Sequence, residues 1–376
     1  MCIISLFTHF VNNFLTENRF VDSCAFLCYS FSEYVEKRVF FLSNERKAGL
    51  DIIRTIAIFA IMLIHMLGHT GVLGMDLRSA GWTGYVFIRY AVRAGVPLFV
   101  LLTGYLQSSR EFNKKHYTSI IPVLLSYFVI SFAMAMGRIY MGENIEPYTL
   151  IVNILDFEYG YAWYVEMYIG LFLLIPFLNI MYKNIDKNKK LWLIGILSFL
   201  SFMPSALQYM TVKGMAFEIL PDYFKNFYVF AFYFIGAYIA EYKPKPNKIL
   251  CFGIMMFVLV SETALCYCFS KAEYAWWLFN NEASFPHALV AVCMFLLLYN
   301  VNAPAVISFP AKFVACCSFE MYLLSYMTDF LCYKYLQIPI WQILIIDFLM
   351  VLIGAYIIRL ITVPIGNGLK KAMLKA

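Results

Sequence analysis

Long apolar runs recur along almost the whole chain from about residue 50 onward, and short polar connections separate them. About 20 apolar residues are needed to cross the hydrocarbon layer of a bilayer, and most of the runs approach that length. The pattern therefore predicts ten membrane-spanning helices, near residues 50–67, 82–106, 116–141, 161–182, 191–207, 225–242, 248–270, 283–303, 313–334 and 339–364.

The distribution of lysine and arginine gives a separate indication of topology, because these residues collect on the cytoplasmic connections of membrane proteins. If the first predicted span starts on the cytoplasmic side, most basic residues between spans fall on the inner connections, as Lys114, Lys115, Lys189 and Lys190 do. The fold predicted is an all-α polytopic bundle with both termini cytoplasmic.

Residues 1–46 differ from the rest, since charged residues interrupt their apolar and aromatic stretches before a span is complete. The first residues also lack the basic region and the cleavage site of a signal peptide. We predict an interfacial or loosely ordered N-terminal extension over 1–46 and one transmembrane domain over 47–373.

Composition agrees with this interpretation, because 62% of the residues are hydrophobic and 14% are charged, far from a water-soluble globule. The net charge of +6 lies in short clusters between apolar runs, so nucleic acid is not an expected partner. The ten cysteines show neither a disulfide pattern nor zinc-site spacing, and we interpret them as small apolar residues of the helices.

Ionisable side chains inside predicted spans are the candidates for chemistry, because each costs about 2.5–3.5 kcal/mol to insert. In the first span, Arg54 and His65 are eleven residues apart, which places them on one helix face about 16 Å apart. His69 extends this polar stripe by one turn.

His65 has two interpretations: a histidine that bonds a neighbouring helix as packing, or a general base that works near neutral pH. A metal site formed by His65 and His69 lacks a clear third ligand, so no metal is predicted.

The second span carries Arg89 and Arg93, four residues apart and hence expected on one face. Together with His65 and Glu166 they fall in the predicted outer half of the bilayer. The arginines could pair with Glu166 or stabilise an anion or oxyanion. His287 is a further ionisable candidate, and the remaining ones are interpreted as interhelical partners or cavity lining: Glu262, Glu320, Asp329, Asp347 and Arg359.

Four segments, taken in order, resemble the acyltransferase 3 family of bacterial integral membrane O-acyltransferases: LDIIRTIAIFAIMLIH at Leu50–His65, RAGVPLFVLLTGY at Arg93–Tyr105, WYVEMYIGLFLLIPFL at Trp163–Leu178 and SFEMYLLS at Ser318–Ser325. The first of them is similar to the family's signature of a basic residue and a histidine separated by ten positions. At the start of the third span, where the family often has an Arg-x-x-Arg pair, this chain has Lys114, Lys115 and His116.

The resemblance implies transfer of an acyl group, commonly acetyl from acetyl-coenzyme A, to a hydroxyl of a cell-envelope carbohydrate or glycolipid. Acyl-coenzyme A is then a co-substrate, with no permanently bound cofactor, and the location is the bacterial cytoplasmic membrane. His65 matches the family's essential histidine and Arg54 its paired basic residue, with Arg89 and Arg93 as electrostatic support. The substrate-binding residues predicted are Glu166, Trp163, Tyr105, Glu320, Lys114 and Lys115.

A transporter or exporter of polysaccharide or lipid-linked sugar is the alternative class, because buried charges also line substrate pathways through membranes. No inverted repeat is visible in the sequence, which counts against this alternative.

Overall fold

The structure is a computed structural model that describes residues 47–69, 71, 82–155, 162–207, 211–212, 215–216, 220–270 and 281–375. The predicted N-terminal extension therefore lies outside the described residues. In chain order the α-helices are α1 Ala48–His69, α2 Trp82–Val92, α3 Gly95–Gln107, α4 Lys114–Tyr117, α5 Ile121–Tyr140, α6 Pro147–Leu155, α7 Trp163–Lys183, α8 Lys187–Leu207, α9 Tyr228–Tyr242, α10 Lys248–Phe269, α11 Phe285–Leu298, α12 Ala305–Tyr335 and α13 Ile340–Lys375.

Short elements join some of these helices. Turns of 3₁₀-helix cover Thr118–Ile120, between α4 and α5, and Asp222–Phe227, before α9. A two-residue antiparallel ladder pairs β1 (Thr211–Val212) with β2 (Met215–Ala216). The prediction of an all-helical bundle is thus confirmed apart from this minimal ladder.

Each of the ten predicted spans coincides with helix in the described part of the chain. Seven helical stretches there are long and apolar enough to cross a membrane: α1, α2 with α3, α4 with α5, α7, α10, α12 and α13. The other three predicted spans correspond to α8, whose first turn carries three lysines, and to α9 and α11, which have 15 and 14 residues. The count of ten and the cytoplasmic termini remain predictions.

The lipid-facing surface is visible as exposed apolar stripes. Along α13, large aliphatic side chains at Ile345, Leu349, Ile353 and Ile357 are exposed, and their spacing of four residues keeps them on one face. Asp347 lies on the opposite, buried side of the same helix. One face of α13 is therefore suited to lipid and the other to the bundle interior.

The second predicted span is broken into α2 and α3 at Arg93 and Ala94, which form a turn. Pro97 stands in the first turn of α3, where its missing N–H does no harm but where it could not have continued a regular helix from α2. Arg89 therefore lies in α2 and Arg93 in the turn, and the prediction that the two share one face stays a prediction.

Beyond this break, α3 makes a very close contact with α9. A Cβ added to Gly104 would lie 2.0 Å from the backbone oxygen of Tyr233, and one added to Gly236 would lie 2.2 Å from that of Leu101. Only glycine allows two backbones to approach so closely, as small residues do at helix interfaces in membranes.

The remaining packing places α1 inside the bundle. It contacts α3 on one side and α12 on another, and α12 in turn packs against α13. Ile53, Ala57 and Ile58 of α1 are fully buried, which is why the polar residues of this helix meet other protein elements.

Candidate active site

His65, near the C-terminal end of α1, forms the centre of a polar cluster between α1, α12 and α13. Its Nδ1 lies 2.8 Å from Oδ2 of Asp329, and the two side chains are 26% and 7% exposed. An ionised Asp329 can only accept this hydrogen bond, and the imidazole proton is then on Nδ1. The other ring nitrogen, Nε2, is then the basic one.

Asp347 of α13 completes the cluster. It is fully buried and lies close enough to His65 and Asp329 to interact electrostatically with both. Negative charge on this pair of acids would stabilise a protonated imidazole, whereas burial of the cluster opposes it.

His69 lies one turn beyond His65 and stacks on Tyr333 of α12, with 4.5 Å between the ring centroids. Stacking engages the face of the imidazole, not its ring nitrogens. Among the described residues no group of three metal-ligating side chains occurs.

Arg54 lies at the other end of the α1 stripe. Its guanidinium interacts electrostatically with Tyr164 and Tyr168 of α7, and Arg110, just after α3, also acts on Tyr168. Two cations from different elements therefore converge on one tyrosine. Arg110 was not among the predicted site residues, although its place on a predicted inner connection could have indicated it.

Tyr164 also connects the two ends of this region. Its ring lies 5.7 Å from that of Tyr322 of α12, and Tyr322 precedes Asp329 by seven residues, which places both on nearly the same face of α12. The Arg54 and His65 ends of the site are thus joined along one side of α12.

The two arginines of the broken span have different surroundings. Arg89, in α2, is 7% exposed and so lies in the interior of the bundle. Arg93, at the break, donates from Nη1 to Oε1 of Glu282 over 3.1 Å. The partner of Arg93 is therefore Glu282 in the segment before α11, and not Glu166.

Glu166 is exposed, whereas its neighbour Val165 is fully buried. The structure thus places the Glu166 carboxylate apart from the interior carboxylates of the site. Trp163, at the start of α7, is 39% exposed and lines a pocket described below.

Glu320 of α12 belongs to a separate buried cluster. Its Oε1 lies 3.2 Å from Nη1 of Arg359 and accepts a hydrogen bond from Ser126 over 3.1 Å. Ser126 and Thr362 are also hydrogen-bonded, at 2.8 Å. This network ties α5, α12 and α13 together, so Glu320 is brought to an ion pair rather than to His65.

The remaining predicted binding residues are Tyr105, Lys114 and Lys115. Tyr105 packs against the rings of Phe295 and Tyr299, at 5.8 and 6.1 Å. Lys114 and Lys115 are exposed in the short helix α4, so their ammonium groups can meet a soluble anion.

His116, the next residue, is buried. It stacks on Phe172 at 4.2 Å, and its Nε2 contacts the Phe172 carbonyl oxygen. These contacts fix α4 against α7.

A family model described as an acyltransferase domain, acyltransferase 3, matches residues 47–361. The chain belongs to the acyltransferase 3 family. No curated protein and no solved structure shows a significant match to it. The protein is therefore a multi-pass membrane acyltransferase, and the resemblance inferred from its four segments is confirmed.

The sequence had indicated Asp329 and Asp347 as interhelical partners or cavity lining, and it did not single out Glu282. The available signal for the two aspartates was that each is an acid inside a largely apolar span. For Glu282 the signal was weaker, since the residue falls in the short segment just before α11.

Proposed function

We propose that this acyltransferase moves an acyl group such as acetyl from acyl-coenzyme A to a hydroxyl of a cell-envelope carbohydrate or glycolipid in the bacterial cytoplasmic membrane. The observation that carries the proposal is the partly exposed His65 imidazole held by Asp329 at 2.8 Å. It combines accessibility with a fixed tautomer, as a general base requires.

In the proposed reaction, His65 Nε2 takes the proton of the acceptor hydroxyl while the oxygen attacks the thioester carbonyl carbon. A C–O bond forms, the C–S bond breaks, and the proton returns to the departing thiolate, which leaves as coenzyme A. Asp329 keeps the ring oriented and, with Asp347, stabilises the transient imidazolium. The roles of Arg89 and Arg93 at the oxyanion remain predictions.

The donor end of the site is proposed at Arg54 and Arg110, where two cations converge on Tyr168. Guanidinium groups bind phosphates well, and coenzyme A carries its phosphates far from its thiol on a long arm. A separation of about 16 Å along α1 between Arg54 and His65 suits such a donor. Lys114 and Lys115, exposed in α4, are available to further phosphate groups.

The proposal is tested with the full chain purified and reconstituted in liposomes, supplied with radiolabelled acetyl-coenzyme A and an envelope carbohydrate fraction. We expect label to appear on the acceptor in ester linkage, and we expect His65→Gln to reduce that rate by about 10²–10⁴-fold. His69→Gln, one turn along the same helix, is the matched control and should retain most of the activity.

Two results would contradict the proposal. Movement of intact carbohydrate across the liposome membrane without covalent change would indicate the transporter alternative. Full transfer activity in a folded His65→Gln protein would remove this imidazole from the mechanism.

A further inference from the structure

A pocket of about 400 Å³ lies between α7, α9 and the segment before α11. This volume is within the range of small-molecule sites. Most of its surface is apolar, with polar groups among the lining residues, which are Trp163, Met167, Lys225, Asn226, Tyr228, Val229, Asn281, Glu282 and Ala283. Aromatic faces and side chains with several hydrogen-bonding positions thus occur together at its wall.

The charges at this pocket are already compensated. Glu282 forms the ion pair with Arg93 at 3.1 Å, and Lys225 is paired with Asp222. The lining therefore offers no uncompensated charge of either sign among the described residues. A neutral ligand fits such a surface better than a phosphate or a carboxylate does.

Hydrogen-bonding capacity nevertheless remains at the wall. Asn281 is one of the lining residues, and its side-chain oxygen is buried without a hydrogen-bond partner among the described residues, so a rotation of this side chain would present an unsatisfied acceptor to a ligand. Glu282 accepts from Arg93 with one oxygen, whereas a carboxylate can accept about four hydrogen bonds. Acceptors of this kind suit the hydroxyl groups of a polyol.

The aromatic part of the pocket supplies the complementary apolar surface. Trp163 is 39% exposed, and the Tyr228 hydroxyl lies close enough to Glu282 for an electrostatic interaction. A flat ring beside hydroxyl-binding groups matches a pyranose, which has C–H groups on its faces and hydroxyls around its edge.

A buried pair, His287 and Glu262, supports the segment that carries Asn281 and Glu282. His287 Nδ1 contacts the Asn281 carbonyl oxygen at 3.1 Å and Ser284 Oγ at 2.5 Å, and its Nε2 lies 3.2 Å from Glu262 Oε1. All of these side-chain groups are buried. The wall of the pocket is therefore preformed, which reduces the entropic cost of binding.

The pocket is also connected to the candidate active site. The ring of Trp163 lies 6.1 Å from that of Tyr164, which contacts Tyr322 of α12. On the other side, Arg93 precedes Gly95, whose close neighbours are Ala57, Ala60 and Ile61 of α1. Ile61 lies one helical turn from His65.

From these observations we infer that the pocket binds a neutral pyranose ring of the acyl acceptor, with Trp163 stacking on the ring and Asn281 and Glu282 accepting from its hydroxyls. The inference rests on the proposed function for the identification of the ligand as the acceptor. It adds Glu282, Asn281 and Tyr228 to the residues that select the substrate.

The test uses the full chain in lipid nanodiscs and a panel of methyl pyranosides, with glycerol and inorganic phosphate as reference ligands. Binding is measured by saturation-transfer NMR, which reports ligand contact without any acyl transfer. We expect at least one pyranoside to bind in preference to glycerol and phosphate. Trp163→Ala, Asn281→Ala and Glu282→Gln should each weaken that binding by about tenfold or more.

Matched controls are Trp192→Ala, at a 72% exposed tryptophan of α8, and Glu143→Gln, at an exposed glutamate that also pairs with an arginine. Both should bind as the unchanged protein does. Asn281→Ala keeps the backbone carbonyl that His287 contacts, and Trp163→Phe should restore part of the binding lost in Trp163→Ala. A thermal unfolding curve for each variant excludes misfolding.

The inference is overturned if no pyranoside binds, or if the three pocket variants bind as the controls do. If the protein transfers acyl groups to a non-sugar acceptor and no pyranoside binds, the assignment of the pocket as a sugar site fails while the acyltransferase function stands. Pyranoside binding at the pocket without any acyl transfer would have the opposite meaning, since the pocket would stand and the proposed function would fail.

Discussion

Two histidine–carboxylate pairs in this molecule have similar chemistry and different surroundings. His65 contacts Asp329 at 2.8 Å, and 26% of its side chain is exposed. His287 lies 3.2 Å from Glu262, and both side chains are almost fully enclosed, at 0% and 2% exposure. One imidazole is partly exposed, and the other is surrounded by protein.

The difference assigns different tasks to the same residue types. An enclosed imidazole that contacts a carboxylate, a serine hydroxyl and a backbone carbonyl holds a segment of chain in place. A partly exposed one with a ring nitrogen held by an acid can exchange a proton with a ligand. An ionisable residue within a membrane span is therefore a candidate for chemistry. The exposure of its side chain distinguishes a general base from a structural residue.

The largest expected effect is the loss of folding stability when the enclosed histidine–carboxylate pair loses its acid. Glu262→Ala leaves His287 without its buried acidic neighbour, and losing one member of a buried pair costs about 3–5 kcal/mol. We expect a marked fall in the thermal unfolding temperature of the purified protein. Acyl-transfer rate per folded molecule should fall much less than in His65→Gln, and the reverse order would contradict the assignment of the two pairs.

Asp329→Asn should act mainly on catalysis. The amide keeps the size of the carboxylate but no longer stabilises an imidazolium, so we expect the turnover number to fall by roughly 10²-fold or more. The Michaelis constant for acyl-coenzyme A should change little, because the proposed donor-binding residues, Arg54 and Arg110, lie at the other end of the proposed site. An unchanged turnover number would show that Asp329 is only a packing partner of His65.

Replacing both members of the enclosed pair sharpens the comparison further. Apolar side chains of similar size often substitute for a buried ion pair with little loss, so Glu262→Met with His287→Leu should recover most of the stability lost in Glu262→Ala. Pyranoside binding should remain weakened, because the contact to the Asn281 carbonyl oxygen is gone. A double variant no more stable than Glu262→Ala would show that polarity itself is required there.

The smallest effect is expected at an exposed ion pair. Arg138 and Glu143 are 31% and 46% exposed, and such pairs contribute about 0–1 kcal/mol. Arg138→Gln should therefore leave the unfolding temperature and the acyl-transfer rate almost unchanged. A large loss of stability would mean that burial does not govern the importance of ion pairs in this bundle.

Much of the fold follows from local sequence, because the length of an apolar run determines whether a helix forms there. Arg54 and His65 were also related correctly by spacing alone, since both lie in the continuous helix α1. These inferences need only the geometry of one helix.

The partners of the site residues required information that spacing does not contain. Asp329 is 264 positions from His65, and Glu282 is 189 positions from Arg93, so each pairing depends on which helices become neighbours. Glu166 shows the same limit, since it was predicted at the level of Arg93 but its side chain is exposed. The rotation of a residue about its helix axis depends on how the whole bundle packs, and spacing within one segment does not contain that information.

The glycine contact between α3 and α9 has a mechanical consequence. With the two backbones touching at Gly104 and Gly236, α3 can neither roll nor slide without colliding with its neighbour. Relative movement of α3 and α9 is therefore restricted, whereas α2 lies on the far side of the turn that contains Arg93. The guanidinium next to the pocket thus lies just before a helix whose position is set by its glycine contact.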